Sequence, residues 1–189
     1  MTTQVEQKEE IKKQIVDYAI QSVEELLKEH PDVEFNAFAF CCDAKDAEID
    51  IWLNTELDFQ NTLIDYQKEH LGQNLSEQEI RALKYNTSKW TYFCPGPFYA
   101  FTEEEFDEIF MKLSGYEDDD ALWEDAGTEE KPLWKEFLNN LLELFTESLV
   151  EFTKTETYKK IPKTREFVTF CIDYKEEFEY AIARLGKYK

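Results

Sequence analysis

The sequence is poor in glycine and in histidine, and both shortages exclude classes of catalyst. Its five glycines are dispersed along 189 residues, so the chain has neither a GxGxxG turn nor a phosphate-cradling P-loop. Only His30 and His70 are present, each at the polar end of a predicted helix, where neither has the setting of an activated catalytic base. We therefore predict no catalytic residue, and an enzyme is the less favoured hypothesis.

Positive charge is scarce as well. Lysine and arginine total 21 against 42 aspartates and glutamates, which gives a formal net charge of -21. Phosphate binding needs clustered cations, so the sequence predicts no nucleic-acid partner and no binding to an anionic membrane. A charge of this size either keeps a surface solvated or steers a basic partner protein into contact.

Long apolar runs are absent too, because no stretch reaches the length that spans a bilayer. The first ten residues, MTTQVEQKEE, lack the basic and apolar regions of a secretory signal. These observations predict a cytoplasmic protein. Its cysteines, Cys41, Cys42, Cys94 and Cys171, form no CxxC motif, so we interpret them as thiols that act as small buried hydrophobic residues.

No metal site and no cofactor are predicted. Cys41 and Cys42 would project to opposite faces of a strand, and no second Cys/His pair lies near enough to complete a zinc site. The acidic run from Glu117 lacks the alternating DxDxDG loop of a calcium site. A solvated acidic loop is the simpler interpretation of that run.

The first half of the chain contains clear helix and strand patterns. Apolar residues at helical spacing predict an amphipathic helix from Gln4 to Glu29. The apolar run at 35–42 and the partly alternating run at 48–53 predict a β-hairpin whose first strand is central. A weaker helix is predicted for 57–71, and Ser-x-x-Glu and Thr-x-x-Glu capping boxes at 76–79 and 102–105 predict two further helix starts.

The patterns in the second half of the chain, taken with those of the first half, predict an α+β fold. Pro132 and the apolar stripe that follows it indicate a long helix, near 132–153, that crosses the sheet. The apolar run at 167–172 predicts a third strand. Asp173 is predicted to cap a closing helix, with Glu176 completing the capping box and Gly186 ending the helix. The expected architecture is a small antiparallel or mixed sheet of about three to five strands covered by several helices.

One domain is predicted over residues 1–189, with an acidic flexible connector near 115–130. Its carboxylates would supply charge to a partner, and the aromatic segment 85–93 would supply anchors that carry a polar atom. The alternative for those aromatic residues is packing in the core or at a sheet edge. The predicted partner-binding residues are Tyr85, Trp90, Tyr92, Glu117, Asp118, Asp119, Asp120, Glu124 and Asp125.

Three features together resemble an uncharacterised bacterial family, the domain-of-unknown-function family 4303. They are the Phe-rich hairpin, the segment from Lys84 to Tyr92 with its basic-aromatic, Ser/Thr and Trp-x-Tyr pattern, and the late strand that runs into residues 173–177. The family more often has tryptophan where Tyr85 stands. The resemblance implies bacterial origin, a cytoplasmic location, an α+β fold and kinship with immunity-type proteins that neutralise contact-dependent toxins. It transfers no catalytic residue.

Two functions from different classes remain. The favoured hypothesis is a non-catalytic protein-binding module, in one form an immunity protein whose acidic face covers a basic partner. The alternative is an enzyme or small-ligand binder that uses a carboxylate and aromatic cleft without a linear motif. A deep pocket with clustered, shifted carboxylates would favour the alternative, and a shallow acidic patch would favour protein binding. Homo-oligomerisation through the aromatic segment is a third hypothesis.

Overall fold

The computed structural model of the chain describes residues 4–70, 74–114 and 131–188, which contain seven α-helices and five strands. The helices are α1 (Gln4–Glu29), α2 (Glu56–Glu69), α3 (Glu77–Lys84), α4 (Glu103–Ser114), α5 (Pro132–Thr153), α6 (Glu156–Lys160) and α7 (Phe178–Gly186). The strands are β1 (Phe35–Asp43), β2 (Glu48–Asn54), β3 (Tyr92–Phe93), β4 (Phe98–Tyr99) and β5 (Lys163–Asp173), and a 3-10 turn spans Thr87–Lys89.

Strand β1 lies inside a mixed sheet. The strands follow one another in the order β3, β2, β1, β5, and β4 also pairs with β2. The β1 and β2 strands are antiparallel, with Phe38 opposite Leu53, whereas β1 and β5 are parallel, with Phe38 opposite Thr169. A parallel pair requires a long crossover, which is supplied here by the chain between β2 and β5. The predicted hairpin, its central first strand and the α+β class are confirmed.

One face of the sheet, the helix face, is covered by α1 and α5. The rings of Phe38 and Phe40 on β1 stack against Phe152 of α5, with centroids 5.4 and 6.1 Å apart. Leu133 directly follows Pro132, so the predicted apolar stripe begins with it, yet its side chain is 60% exposed, because the buried side of this helix begins with Trp134. The α1 residues of the predicted stripe are all buried, namely Ile11, Ile15, Ala19, Val23 and Leu26.

The other face, the groove face, is covered only in part. The small residues Ala37 and Ala39 leave room for the rings of Trp90 and Phe178, which pack edge-on against Phe170 of β5. Helix α7 lies along β5, the last strand in the sheet order, and packs Phe178 and Ala181 against this face. The rest of the groove face is open.

The closing helix does not begin where the capping box predicted. Asp173 uses its carboxylate to accept the backbone N–H of Ala44 in the hairpin turn, at 2.9 Å, so it is not a helix cap. Lys175 has a left-handed φ of 64°, a conformation that ends any helical turn begun at Asp173. The helix therefore starts at Phe178, and Gly186 is its last residue rather than the residue after it.

Three short elements were not predicted, namely β3, β4 and α6. The two strands have only two residues each, too few to show a period. Strand β5 also starts at Lys163, four residues before the apolar run, because the polar Lys163 pairs with Phe35 of β1. In the described ranges, no helix combines the length and the apolar character that crossing a bilayer would require.

Candidate binding groove

The floor of the candidate site is the carboxyl end of the parallel pair β1 and β5. Cys41 lies opposite Asp50 of β2 on one side and opposite Ile172 of β5 on the other. Because side chains alternate along a strand, Glu48, Asp50 and Trp52 of β2 all point to the groove face. A groove of about 1190 Å³ opens above this floor. Carboxyl ends of parallel strands are a common place for ligands.

The first wall is formed by α3 and the 3-10 turn. The backbone carbonyl of Lys84 accepts the indole N–H of Trp90 at 3.1 Å and the side-chain amide of Asn54 at 3.4 Å. These two bonds tie the end of α3 to the sheet. The ring of Tyr85 then stacks on Phe178 with centroids 4.1 Å apart, which joins this wall to α7.

The second wall is the loop between β5 and α7, which is held by Arg184. The guanidinium forms a two-pronged ion pair with Glu176, at 2.5 and 2.8 Å. It also donates to the carbonyl of Cys171 at 2.8 Å and to the hydroxyl of Thr146 on α5 at 2.9 Å. Glu176 in turn accepts the backbone N–H of Asp173 at 3.0 Å. The loop is therefore fixed to the sheet and to the long helix.

The groove is strongly acidic. Burial raises the pKa of Asp50 above its ordinary value, and burial together with the charge of Asp50 raises the pKa of Glu48. Burial also raises the pKa of Asp173, although the N–H of Ala44 opposes this. Lys175 is the one basic residue of the lining, against nine carboxylates: Asp43, Asp46, Glu48, Asp50, Glu79, Asp173, Glu176, Glu177 and Glu179.

The predicted aromatic anchors lie in three different places. Tyr85 lines the groove. Trp90 is only 5% exposed and supports the first wall from below, so it offers little surface to a partner. Tyr92 packs on the helix face against His30 and Phe35, with centroids 5.0 and 5.3 Å apart. Their role in partner binding stays a prediction.

The predicted acidic contacts lie outside the described residues. They are Glu117, Asp118, Asp119, Asp120, Glu124 and Asp125, all within 115–130. The acidic residues that the structure brings together were not singled out by the sequence. The signal for two of them was local: Glu48 and Asp50 alternate with the buried Ile49 and Ile51, which places both carboxylates on the face opposite the core.

The cysteines are free thiols in this structure. Cys41 and Cys42 point to opposite faces of β1, as the strand pattern predicts. Cys42 lies on the helix face, where its sulfur is 3.4 Å from that of Cys171. In the part of the chain that the structure describes, no group of three or more His, Cys, Asp or Glu side chains is placed to hold a metal ion.

A model of one protein family, described as a domain of unknown function (DUF4303), matches residues 15–186. The chain belongs to the DUF4303 family. The match covers nearly all of the sequence and includes every strand of the sheet and both walls of the groove. Searches of the curated proteins and of the solved structures gave no match. The family assignment confirms the resemblance seen in the sequence, and the function of this DUF4303 chain has to be argued from its groove.

Asp50 should reduce the stability of this DUF4303 domain at neutral pH. Its pKa is raised by burial, so its charged form is less favourable in the folded state than in the unfolded state. The destabilisation is absent at pH values below the pKa of Asp50 in the unfolded chain, and it is complete at pH values above the pKa of Asp50 in the folded protein. We expect Asp50→Asn to raise Tm by about 1–3 °C at pH 7 and to leave it unchanged at pH 3, as measured by circular dichroism.

The matched control is Asp32→Asn, because Asp32 is exposed and lies outside the groove. It should leave Tm unchanged at both pH values. A lower Tm for Asp50→Asn at pH 7 would show that the charged carboxylate stabilises the fold, and would contradict the argument.

Proposed function

We propose that this protein is a non-catalytic binding module that holds a cationic segment of a partner protein in its acidic groove. The observation that supports the proposal is the lining of the groove, where nine carboxylates surround one lysine. Most of these carboxylates have no cation within the described residues, since the ion pairs of the lining are Glu176 with Arg184 and Glu179 with Arg81. A cationic partner would therefore remove repulsion on binding.

The dimensions of the groove suit a peptide chain. Its volume of about 1190 Å³ exceeds the range of about 300–1,000 Å³ that is typical of small-molecule pockets. The net charge of -21 would in addition steer a basic partner toward the protein and speed association. An immunity-type role, in which the cationic partner is a toxin, is the specific form of this function that we propose.

A salt-dependent binding measurement tests the proposal. The probe is an eight-residue peptide of alternating arginine and glycine, titrated by calorimetry into the full chain at about 50 mM and about 300 mM NaCl. We expect the affinity to fall by about tenfold or more when four groove carboxylates are neutralised. The groove variant carries Asp46→Asn, Glu48→Gln, Asp50→Asn and Glu177→Gln, chosen because these residues line the groove.

A charge-matched variant controls for long-range attraction. It neutralises four exposed carboxylates that do not line the groove, and so has the same net charge as the groove variant. Its substitutions are Asp17→Asn, Asp32→Asn, Glu34→Gln and Glu166→Gln. We expect it to weaken binding by about twofold. Equal losses in the two variants, or no binding by the unmodified protein, would contradict the proposal.

The alternative is an enzyme or small-ligand binder, and one observation favours it. Glu48 and Asp50 both have raised pKa values, on the same face of β2, and such carboxyl groups are candidates for acid/base work. A short diamine separates the two functions, because it fits a small-molecule site but cannot fill a peptide groove. Tighter binding of putrescine than of the arginine peptide would favour the alternative.

A further inference from the structure

We propose that the groove face selects arginine over lysine, by holding a guanidinium group between the carboxylate of Asp50 and the aromatic pair Trp52 and Phe93. The inference rests on the proposed function and narrows the cationic partner to a segment that presents arginine. Its support comes from the register of β2 and β3, from the pairing of the β2 carboxylates and from the exposure of one aromatic ring.

The strand register places the three side chains beside one another. Trp52 is paired directly with Phe93 of β3, and Asp50 is the next residue of β2 on the same face. Successive residues on one face of a strand are about 7 Å apart, and diagonal neighbours across two strands are about 7–8 Å apart. A guanidinium group placed over the aromatic pair is therefore within reach of the Asp50 carboxylate.

Asp50 is the acidic residue of β2 whose carboxylate has no partner in the part of the chain that the structure describes. Its neighbour Glu48 lies opposite Tyr99 of β4, whose hydroxyl opposes the rise in the pKa of Glu48, and Glu56, which follows the strand, is bonded to Lys84 at 3.0 Å. The carboxylate of Asp50 has no hydrogen bond and no ion pair within residues 4–70, 74–114 and 131–188, although it is partly buried. A partly desolvated carboxylate gains most from a ligand that supplies both charge and hydrogen bonds.

The aromatic pair presents a ring surface to solvent. The rings of Trp52 and Phe93 have centroids 5.2 Å apart at an interplanar angle of 33°, and Phe93 is 54% exposed. The exposed aromatic surface thus lies next to the unpaired carboxylate. No cation of the described part of the chain lies over either ring, whereas Lys84 lies over Phe59 and Arg81 over Phe178. The position over the Trp52 and Phe93 rings remains open to a ligand.

Arginine suits this combination better than lysine does. Its planar guanidinium can stack on an aromatic face and at the same time donate two parallel hydrogen bonds to a carboxylate. The ammonium group of lysine is a compact, strongly hydrated point charge, which cannot make both contacts in one plane. The acidic lining would attract both side chains, but the Asp50, Trp52 and Phe93 triad would discriminate between them.

Two peptides of equal charge test the selectivity. One alternates arginine with glycine over eight residues, and the other alternates lysine with glycine. Calorimetry with the full chain at about 50 mM NaCl should show binding of the arginine peptide about fivefold to tenfold tighter. Phe93→Leu should reduce the ratio of the two affinities to about twofold or less, and it should leave the affinity for the lysine peptide almost unchanged. Asp50→Asn should weaken the binding of both peptides.

The controls separate aromatic recognition from folding. Phe93→Tyr keeps an aromatic ring and should keep the preference for arginine, and Trp52→Phe should give an intermediate ratio. Tyr180→Leu removes an aromatic side chain that is 65% exposed outside the groove lining and should change nothing. Each variant is checked for native circular dichroism.

The two proposals fail in different ways. Equal affinity for the two peptides, or a preference that survives Phe93→Leu, would overturn the arginine inference and leave the proposed function intact. Absence of binding by both peptides to the unmodified protein would overturn both.

Discussion

Replacement of Arg184 by alanine is expected to destabilise the protein by about 3 kcal/mol. The side chains of Arg184 and Glu176 are only 10% and 16% exposed, so removal of the guanidinium would leave a largely buried carboxylate without its ion partner. The Thr146 hydroxyl and the Cys171 carbonyl would each lose a donor as well. Urea unfolding at pH 7, followed by circular dichroism, measures the loss.

Two further variants define the cause of that loss. Lys187→Ala removes an ion pair with Glu143 whose lysine is 63% exposed, and such a pair contributes at most about 1 kcal/mol. A double variant, Arg184→Met with Glu176→Leu, removes both buried charges and should recover most of the stability, because no lone charge remains. If Arg184→Ala lowers the free energy of unfolding by no more than Lys187→Ala does, the ion pair of Arg184 with Glu176 does not hold the second wall of the groove.

The elements that follow from local patterns were predictable from the sequence. The amphipathic helix α1, the hairpin and the Ser76 and Thr102 capping boxes each depend on residues a few positions apart, and the structure contains all of them. Periodicity and capping are properties of a short segment. No tertiary contact was needed to recognise them, and none overrode them.

The groove could not be predicted in the same way. Its floor joins Cys41 to Ile172, which are 131 positions apart, through the parallel pairing of β1 and β5. The sequence shows that both segments are apolar strands, but it does not show that they are neighbours. The alternation along β2 carries a signal that places Glu48 and Asp50 on the face opposite the core, whereas no local signal shows that the acidic loop at the end of β5 faces them.

Tertiary contacts decide the surroundings of two residues that local patterns singled out. Trp90 was predicted to be an anchor, with packing in the core or at a sheet edge as the alternative; the small side chains of Ala37 and Ala39 leave space for its ring, and its N–H is satisfied by the Lys84 carbonyl. Asp173 looked like a helix cap, yet its carboxylate is committed to Ala44. The residues that surround Trp90 and Asp173 include Ala37, Ala39 and Ala44, which lie far away in the sequence, where pattern analysis does not reach.

Phe152→Ala should lower the free energy of unfolding by about 4 kcal/mol, a loss comparable to or larger than that expected for Arg184→Ala. The ring is fully buried and packs on Phe38, Phe40 and Tyr158, with centroids 5.4, 6.1 and 5.6 Å away. Its removal would leave a cavity between α5 and β1, and close-packed surroundings collapse only in part around such a cavity. Urea unfolding at pH 7 gives the change in the free energy of unfolding.

The same helix provides the control, because Leu133 lies on α5 and is 60% exposed. Leu133→Ala should change the free energy of unfolding by about 0.5 kcal/mol or less, since both leucine and alanine favour helix.

Phe152 lies on the helix face and Asp50 on the groove face, so Phe152→Ala should still bind the arginine peptide with nearly unchanged affinity at a temperature where it remains folded. A large loss of affinity in the folded variant would mean that the groove depends on packing across the sheet, whereas unchanged affinity would localise recognition to the groove face.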